Sequence, residues 1–266
     1  MSPGLGLLAD VVPFSWVDGP GNRYVLFLQG CNFACTACHN PHTIPLATPR
    51  ARLVTVEQAL EDVRRTRRFL SGITVSGGEA TLQPRFVGEL FAAVKADPQL
   101  AHLTTFIDTN GSALREVWDR LLPVTDGAMV DLKAFDPEVH LRLTGTTNTS
   151  VLMSIRHLAD RGRLYEVRLL LVPGINDSPA QLRETADWLL SVDPLVRIKV
   201  IAFRRHGVRA SARNWPVATP QERDDWCEVL RDAGVQDLVL VCADWRQAAD
   251  LSAAGVGPRP RRRRRG

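Results

Sequence analysis

Tyr24-Val25-Leu26-Phe27-Leu28-Gln29-Gly30-Cys31-Asn32-Phe33-Ala34-Cys35-Thr36-Ala37-Cys38-His39-Asn40-Pro41 is the stretch from which the rest of this 266-residue chain can be read. Its first five residues are an unbroken apolar run, the pattern of a buried strand. Three cysteines at C-x3-C-x2-C spacing follow almost at once. The thiols therefore sit on a loop leaving the carboxyl end of a strand, where open α/β sheets and α/β barrels place their chemistry.

Three clustered thiols fit a metal or a redox couple better than a disulfide framework. Their number is odd, and the other two cysteines, Cys227 and Cys242, are far away in sequence. An iron–sulfur cube takes thiolates at such spacing, each sulfur reaching a different iron. With three ligands rather than four, one iron is left without a protein donor and can bind a substrate. Structural zinc, closed by His39 or His42 as a Cys3His site, is the alternative. The residue types alone leave both open.

Apolar residues make up 45% of the chain and charged residues 23%, the balance of a soluble globular protein with a sizeable core. No apolar stretch is long enough to span a bilayer, and residues 1–4 lack the layout of a signal peptide. Few cysteines with a thiol cluster suit the reducing cytoplasm. The net charge is +4, but six arginines lie in Arg259-Pro260-Arg261-Arg262-Arg263-Arg264-Arg265, and taking those six away leaves −2. A general nucleic-acid surface is therefore not indicated. Residues 1–250 read as one domain, and residues 251–266 as a disordered arginine-rich tail.

Beyond the cysteines the chain alternates. Residues 6–14 form a short leading strand, and 42–54 a polar loop. A helix over 55–69 starts on Thr55 as N-cap, with Gln58 three residues on. Strands follow at Ile73–Val75, Leu103–Ile107, Gly127–Val130, Tyr165–Val172, Val196–Val200 and Leu238–Val241. Helices are expected near 84–96, up to 122, at 136–143, 149–161 and 179–190, and in a last one carrying Trp226. Alternation of this kind means βα units and a parallel sheet. About six units is fewer than the eight of a closed barrel, so the expected fold is α/β, an open, partial parallel β/α barrel. Cys31–Cys38, Gly77–Glu79, Asp108–Asn110, Asp131–Lys133, Asn176–Asp177 and His206 all follow strands, and in a parallel barrel those ends share one face.

With these residues placed, the chain resembles the radical S-adenosylmethionine (radical SAM) enzymes. Within them it is similar to the glycyl-radical-enzyme activases related to pyruvate formate-lyase activase, in particular the YjjW-type subgroup. The residues carrying the resemblance are Asp18-Gly19-Pro20-Gly21, Gln29-Gly30-Cys31, the cysteine triplet with His39-Asn40-Pro41, Ser76-Gly77-Gly78-Glu79, Asp108-Thr109-Asn110-Gly111, Asp131-Leu132-Lys133, Arg168 through Val172-Pro173-Gly174, and His206-Gly207. It implies one [4Fe-4S] cluster on Cys31, Cys35 and Cys38, its fourth iron chelating S-adenosylmethionine. Reductive cleavage of the sulfonium would give methionine and a 5′-deoxyadenosyl radical, which takes hydrogen from a glycine Cα of a partner glycyl-radical enzyme. A flavodoxin or ferredoxin would be the electron donor.

The same resemblance implies cofactor contacts from Gly77, Gly78, Glu79, Asp108, Asn110, Asp131, Lys133, Arg168 and His206. Asp108, Thr109 and Asp131 would lie at the ribose or around a monovalent cation, and His206 near the adenosyl group. Lys133 is one of only three lysines in the chain and would meet the cofactor carboxylate. Ala37 departs from the family pattern, which has an aromatic residue before the third cysteine, so Phe33 or His39 is expected to pack on the adenine instead. Residues 42–54 hold no cysteine for further clusters. Two rival readings remain: a radical SAM enzyme acting on a small molecule, such as a deazapurine-forming type, and a non-catalytic iron–sulfur or zinc protein.

Overall fold

The computed structural model describes residues 4–241. In chain order the strands and helices are β1 (Leu5–Ser15), β2 (Arg23–Leu28), β3 (Arg52–Thr55), α1 (Val56–Thr66), β4 (Gly72–Gly77), α2 (Pro84–Ala96), β5 (Thr104–Thr109), α3 (Arg115–Leu121), β6 (Gly127–Asp131), α4 (Pro137–Thr144), α5 (Thr149–Asp160), β7 (Leu164–Leu171), α6 (Pro179–Val192), β8 (Arg197–Ala202), α7 (Pro220–Asp232) and β9 (Asp237–Val241). All nine strands join one sheet in the order β3-β1-β2-β4-β5-β6-β7-β8-β9. From β2 to β9 every pairing is parallel. The outermost strands β3 and β9 do not pair, so the sheet is an open barrel, as expected.

Two details differ from the sequence reading. The leading strand is longer than expected and pairs antiparallel with β2. The segment 42–54, expected as loop throughout, ends in β3, which pairs antiparallel with β1 from Leu5↔Thr55 to Leu8↔Arg52. An antiparallel edge of this kind is common on a mostly parallel sheet.

Local chemistry explains where helices begin. Thr55 and Gln58 close a reciprocal capping box on α1, and the same device recurs at Ser178/Gln181 and Thr219/Glu222, there with proline in the first turn. Each such cap stabilises its helix by roughly 1 kcal/mol. The strands sort their side chains by the period of two. Val75, Ile107, Val130, Val167, Leu169, Ile198 and Val200 join the main core. Their neighbours in sequence face the barrel interior, and those carry the polar groups.

The barrel floor is closed by the turn after β1. Arg23, fully buried, donates to Thr74 Oγ1 at 3.0 Å and lies 4.5 Å over the Phe106 ring. Thr74 Oγ1 donates to the Asp18 carbonyl at 2.7 Å. Burial pulls the Arg23 guanidinium down to about 10, partly offset by Asp126, Tyr165 and Asp18. Lys199 donates to the Val17 carbonyl at 2.7 Å, which ties the same turn to β8.

Candidate active site

Above this floor the inward positions of six strands line one cavity of about 290 Å³. Phe27, Ser76, Asp108, Asp131, Arg168 and Ile201 reach it from β2, β4, β5, β6, β7 and β8. Cys31, Cys35 and Cys38 line it from the loop after β2, with Gly77, Gly78, Asn110 and Lys133 from the neighbouring strand ends. The structure thus gathers most of the residues singled out in the sequence.

The cysteine loop is held by its backbone. Cys31 N–H donates to the Ile44 carbonyl at 3.0 Å, and Gly30 N–H to Thr43 at 2.8 Å. Ala34 and Thr36 donate to the last carbonyls of α4, on Thr144 and Leu143, at 3.0 and 2.9 Å. These otherwise orphaned helix-end carbonyls become the seat of the loop. Gln29, buried, fixes the returning chain by donating to the Pro45 carbonyl at 2.6 Å. Phe33 N–H and Asn110 Nδ2 both approach the Cys31 sulfur, at 3.4 and 3.8 Å.

Burial pushes the thiols up: Cys31 to about 11, Cys35 to about 12, and Cys38 in the same direction. Lys133 acts against this at Cys35 and Cys38. Its ammonium bonds Asp131 Oδ2 at 2.8 Å. Burial alone would lower the lysine, but Asp131 and then Cys35 outweigh it and hold Lys133 above its usual value. Lys133 is therefore a positive charge set among thiols.

The second carboxylate of the cavity is also paired. Asp108 accepts from Ser76 Oγ at 2.9 Å and from Arg168 Nη1 at 2.8 Å. Arg168 further donates to Glu166 at 2.7 Å, and Lys199 stands 3.6 Å from the same Glu166 oxygen. Burial raises the Asp108 carboxyl, with Arg168 pulling against it. Asp131 and Asp108, expected near a monovalent cation, thus each have a cationic side chain as partner. Glu166 and Lys199 were missed in the sequence; charged residues alternating with Val167, Ile198 and Val200 were the available signal. Ser76 was named there only as part of its motif, without a role of its own.

Two expectations change. Glu79 does not line the cavity; it is buried behind it. Its Oε1 accepts from Thr81 N–H at 2.8 Å, Thr81 Oγ1 at 2.5 Å and Thr109 Oγ1 at 2.8 Å, and its Oε2 from Asn110 N–H at 2.7 Å. Burial raises its carboxyl, and these donors oppose the rise. Glu79 thereby ties the end of β4 to the end of β5. The glycines before it are required by packing. A Cβ on Gly77 (φ +123°) would lie 2.2 Å from Leu28 backbone atoms, and one on Gly78 2.2 Å from the Gly30 carbonyl oxygen. His206 is exposed and outside the cavity. His39 lines it instead, 6.1 Å from the Phe203 ring and nearly parallel to it, with Nε2 3.1 Å from the Arg204 carbonyl. Phe33 lines the cavity too. Asn176, which follows β7, donates its side-chain amide to the Lys133 carbonyl at 2.7 Å. Cys227 is buried on α7, whereas Cys242 and the arginine tail lie outside the described residues.

A family model for the radical SAM superfamily matches residues 25–189, from the strand before the cysteines to α6. The chain belongs to the radical SAM superfamily. Its curated relatives include the pyruvate formate-lyase-activating enzyme of Staphylococcus epidermidis, 34% identical over 213 residues that cover 76% of this chain and 83% of that enzyme. The same name is borne by the Streptococcus mutans relative, also 34% identical. Among solved structures, a domain of the pyruvate-formate lyase-activating enzyme of Bacteroides vulgatus superposes with a TM-score of 0.54 at 23% identity, covering 65% of this radical SAM chain and 99% of that domain. That superposition shows the shared fold.

The superfamily uses a [4Fe-4S] cluster and S-adenosylmethionine, and three thiols are present for the cluster. The donor set fits it: three sulfurs on one cavity wall, hydrogen-bond donors aimed at Cys31 and a lysine beside the other two. Among the described residues no three His, Cys, Asp or Glu groups are gathered to hold one metal ion. A cube asks for a different arrangement, one thiolate for each of three irons.

Proposed function

We propose that this radical SAM protein is a glycyl-radical-enzyme activase, which removes a hydrogen atom from a glycine Cα of a partner enzyme. The observation that carries this reading is the cysteine-walled cavity at the carboxyl end of an open barrel, in a chain whose relatives are named as pyruvate formate-lyase-activating enzymes. An unclosed sheet leaves room for a protein loop to reach the thiols.

Cys31, Cys35 and Cys38 would ligate the cluster, which when bound supplies the single electron that cleaves S-adenosylmethionine. Lys133 balances charge at the thiols and holds Asp131 in place. Asp108, fixed by Ser76 and Arg168, offers hydrogen-bond acceptance toward the sugar side of the cofactor. Asn110 steadies Cys31. Phe33 and His39 offer ring faces for the adenine, in place of the aromatic absent at Ala37. The apolar wall of Leu170, Val172 and Ile201 excludes water around a reactive fragment.

The electron donor in this reading is a flavodoxin or ferredoxin, and the compartment is the reducing cytoplasm. No helix among the described residues is long and apolar enough to cross a membrane. The test is anaerobic reconstitution with iron, sulfide, S-adenosylmethionine and a reductant, followed by electron paramagnetic resonance with a glycyl-radical enzyme added. A glycyl doublet on the partner is expected. Formation of 5′-deoxyadenosine without that doublet against every candidate partner would point to a small-molecule substrate instead.

A further inference from the structure

The segment after β8 forms a strap beside the cysteine loop. From Pro194 to Gln221 the chain contains no acidic residue, yet it carries Arg204, Arg205, Arg209 and Arg213 in the strap itself. All four are exposed, and none of them lines the cavity. None makes an ion pair with a carboxylate among the described residues, and neither does Arg142 at the end of α4, also exposed. This is a local excess, because without its tail arginines the chain is net negative.

The strap is bolted to the cysteine loop at both ends. Arg209 Nη1 donates to the Ala34 carbonyl at 2.8 Å, one residue before Cys35. The Arg204 carbonyl meets His39 Nε2 at 3.1 Å, one residue after Cys38. A Cβ on Gly207 would come within 2.8 Å of the His39 carbonyl oxygen, so the two backbones touch there. On the other side Arg142 precedes Leu143, whose carbonyl holds Thr36. Exposed arginines thus occur on both segments that grip residues 34–39, the end of α4 and the strap, and none of them lines the cavity.

We propose that Arg142, Arg204, Arg205, Arg209 and Arg213 form the landing surface for an acidic one-electron carrier protein. The inference rests on the activase reading only for the need of an external electron. In the exchange the carrier is oxidised by one electron and the cluster is reduced by one. Electron transfer weakens steeply with distance, so the carrier has to seat on the outside of the loop that bears the thiols. Weak redox encounters use small interfaces, and unpaired surface charge raises their on-rates by roughly 10 to 10³-fold through steering. Screening at high salt removes that gain.

The test uses the full-length reconstituted protein, flavodoxin as the probe, and the variants R204E/R213E and R142E. No side-chain bond in the structure depends on these three arginines. Binding of flavodoxin to the protein with and without its cluster is measured by calorimetry across a salt series. Cluster reduction is timed with reduced flavodoxin and, separately, with a small neutral photoreductant. The expected result is at least about tenfold weaker or slower reaction with flavodoxin at low salt. That difference should shrink as salt rises, with photoreduction unchanged. Equal flavodoxin binding and reduction in wild type and variants would overturn the proposal. So would a loss, under photoreduction, of glycyl-radical formation alone, because the patch would then serve the protein substrate. Neither binding nor reduction needs the substrate enzyme, so a failure of the activase reading would be seen apart from these outcomes.

Discussion

Replacing Glu79 by glutamine separates a structural tie from a cofactor ligand. In the native protein one carboxylate collects four donors: two on Thr81, the Thr109 hydroxyl and the Asn110 amide. Glu79 is 1% exposed, so water cannot substitute for any of them. Glutamine keeps one oxygen for Thr81 and Thr109, but its NH2 then faces the Asn110 N–H, donor against donor. Leaving a buried N–H unpaired costs about 1–3 kcal/mol. The charge-assisted bonds that remain are also weakened. A loss of about 2 kcal/mol lowers Tm by roughly 4–8 °C in a domain of this size. Urea unfolding followed by circular dichroism under anaerobic conditions reads the loss directly. Hydrogen exchange at the Asn110 amide should speed up while the affinity for S-adenosylmethionine changes little. An unaltered unfolding midpoint together with failed cofactor binding would refute the reasoning and put the carboxylate on the cofactor.

Four further outcomes are expected. Cys35→Ser abolishes bound iron and its visible absorption, yet moves the urea midpoint of the metal-free protein by less than about 1 kcal/mol, because the change leaves the barrel intact. Gly78→Ala brings a Cβ within 2.2 Å of the Gly30 carbonyl oxygen and 2.6 Å of that of Thr43, both backbone atoms. The cysteine loop must move, so iron content after reconstitution should fall although no ligand was touched. Lys133→Ala leaves Asp131 unpartnered; S-adenosylmethionine affinity should drop roughly tenfold, about 1.4 kcal/mol, with partial rescue by Lys133→Arg. The fourth concerns acid stability. At Asp126 burial alone would raise the carboxyl, but Lys95 and the Thr105 amide and hydroxyl outweigh it and hold the group below its usual range. Because the folded value is the lower, this stabilisation is complete above the unfolded value of about 4 and is lost as pH falls through the folded one. Asp126→Asn should therefore flatten the acid limb of a plot of urea midpoint against pH; an unchanged slope would contradict it.

Much of the barrel was legible because its signals are local. Thr55 and Gln58 announce α1 by a reciprocal pair that the structure contains. Leu103–Ile107, rich in β-branched and aromatic residues, and the apolar Gly127–Val130 are short uncharged stretches between helical ones, and both are parallel strands. The strand β3 was missed because Arg-Leu-Val-Thr is too short to display a period. It becomes a strand only because β1 offers it an unpaired edge, and that is a fact about distant residues. His206 was misplaced for a related reason. A histidine near a strand end carries no mark of direction; His206 is exposed, and His39 from another loop takes the cavity wall.

The Gly77-Gly78-Glu79 run shows where a correct reading of residue type still left the partner open. Two glycines in succession say that something approaches the backbone closely. A ligand was the natural candidate at a strand end, but the atoms that exclude a Cβ belong to Leu28 and Gly30. Gly78 and Glu79 donate to the Leu28 and Gly30 carbonyls at 2.9 and 2.8 Å, so the turn after β4 clasps the stretch leading into Cys31. Glu79 then passes the restraint on to Thr109 and Asn110, and Asn110 reaches the Cys31 sulfur. The run thus acts on the thiols at second hand, through backbone contact and one buried carboxylate. For that reason Gly78→Ala should disturb iron loading, while Glu79→Gln should register first as lost stability.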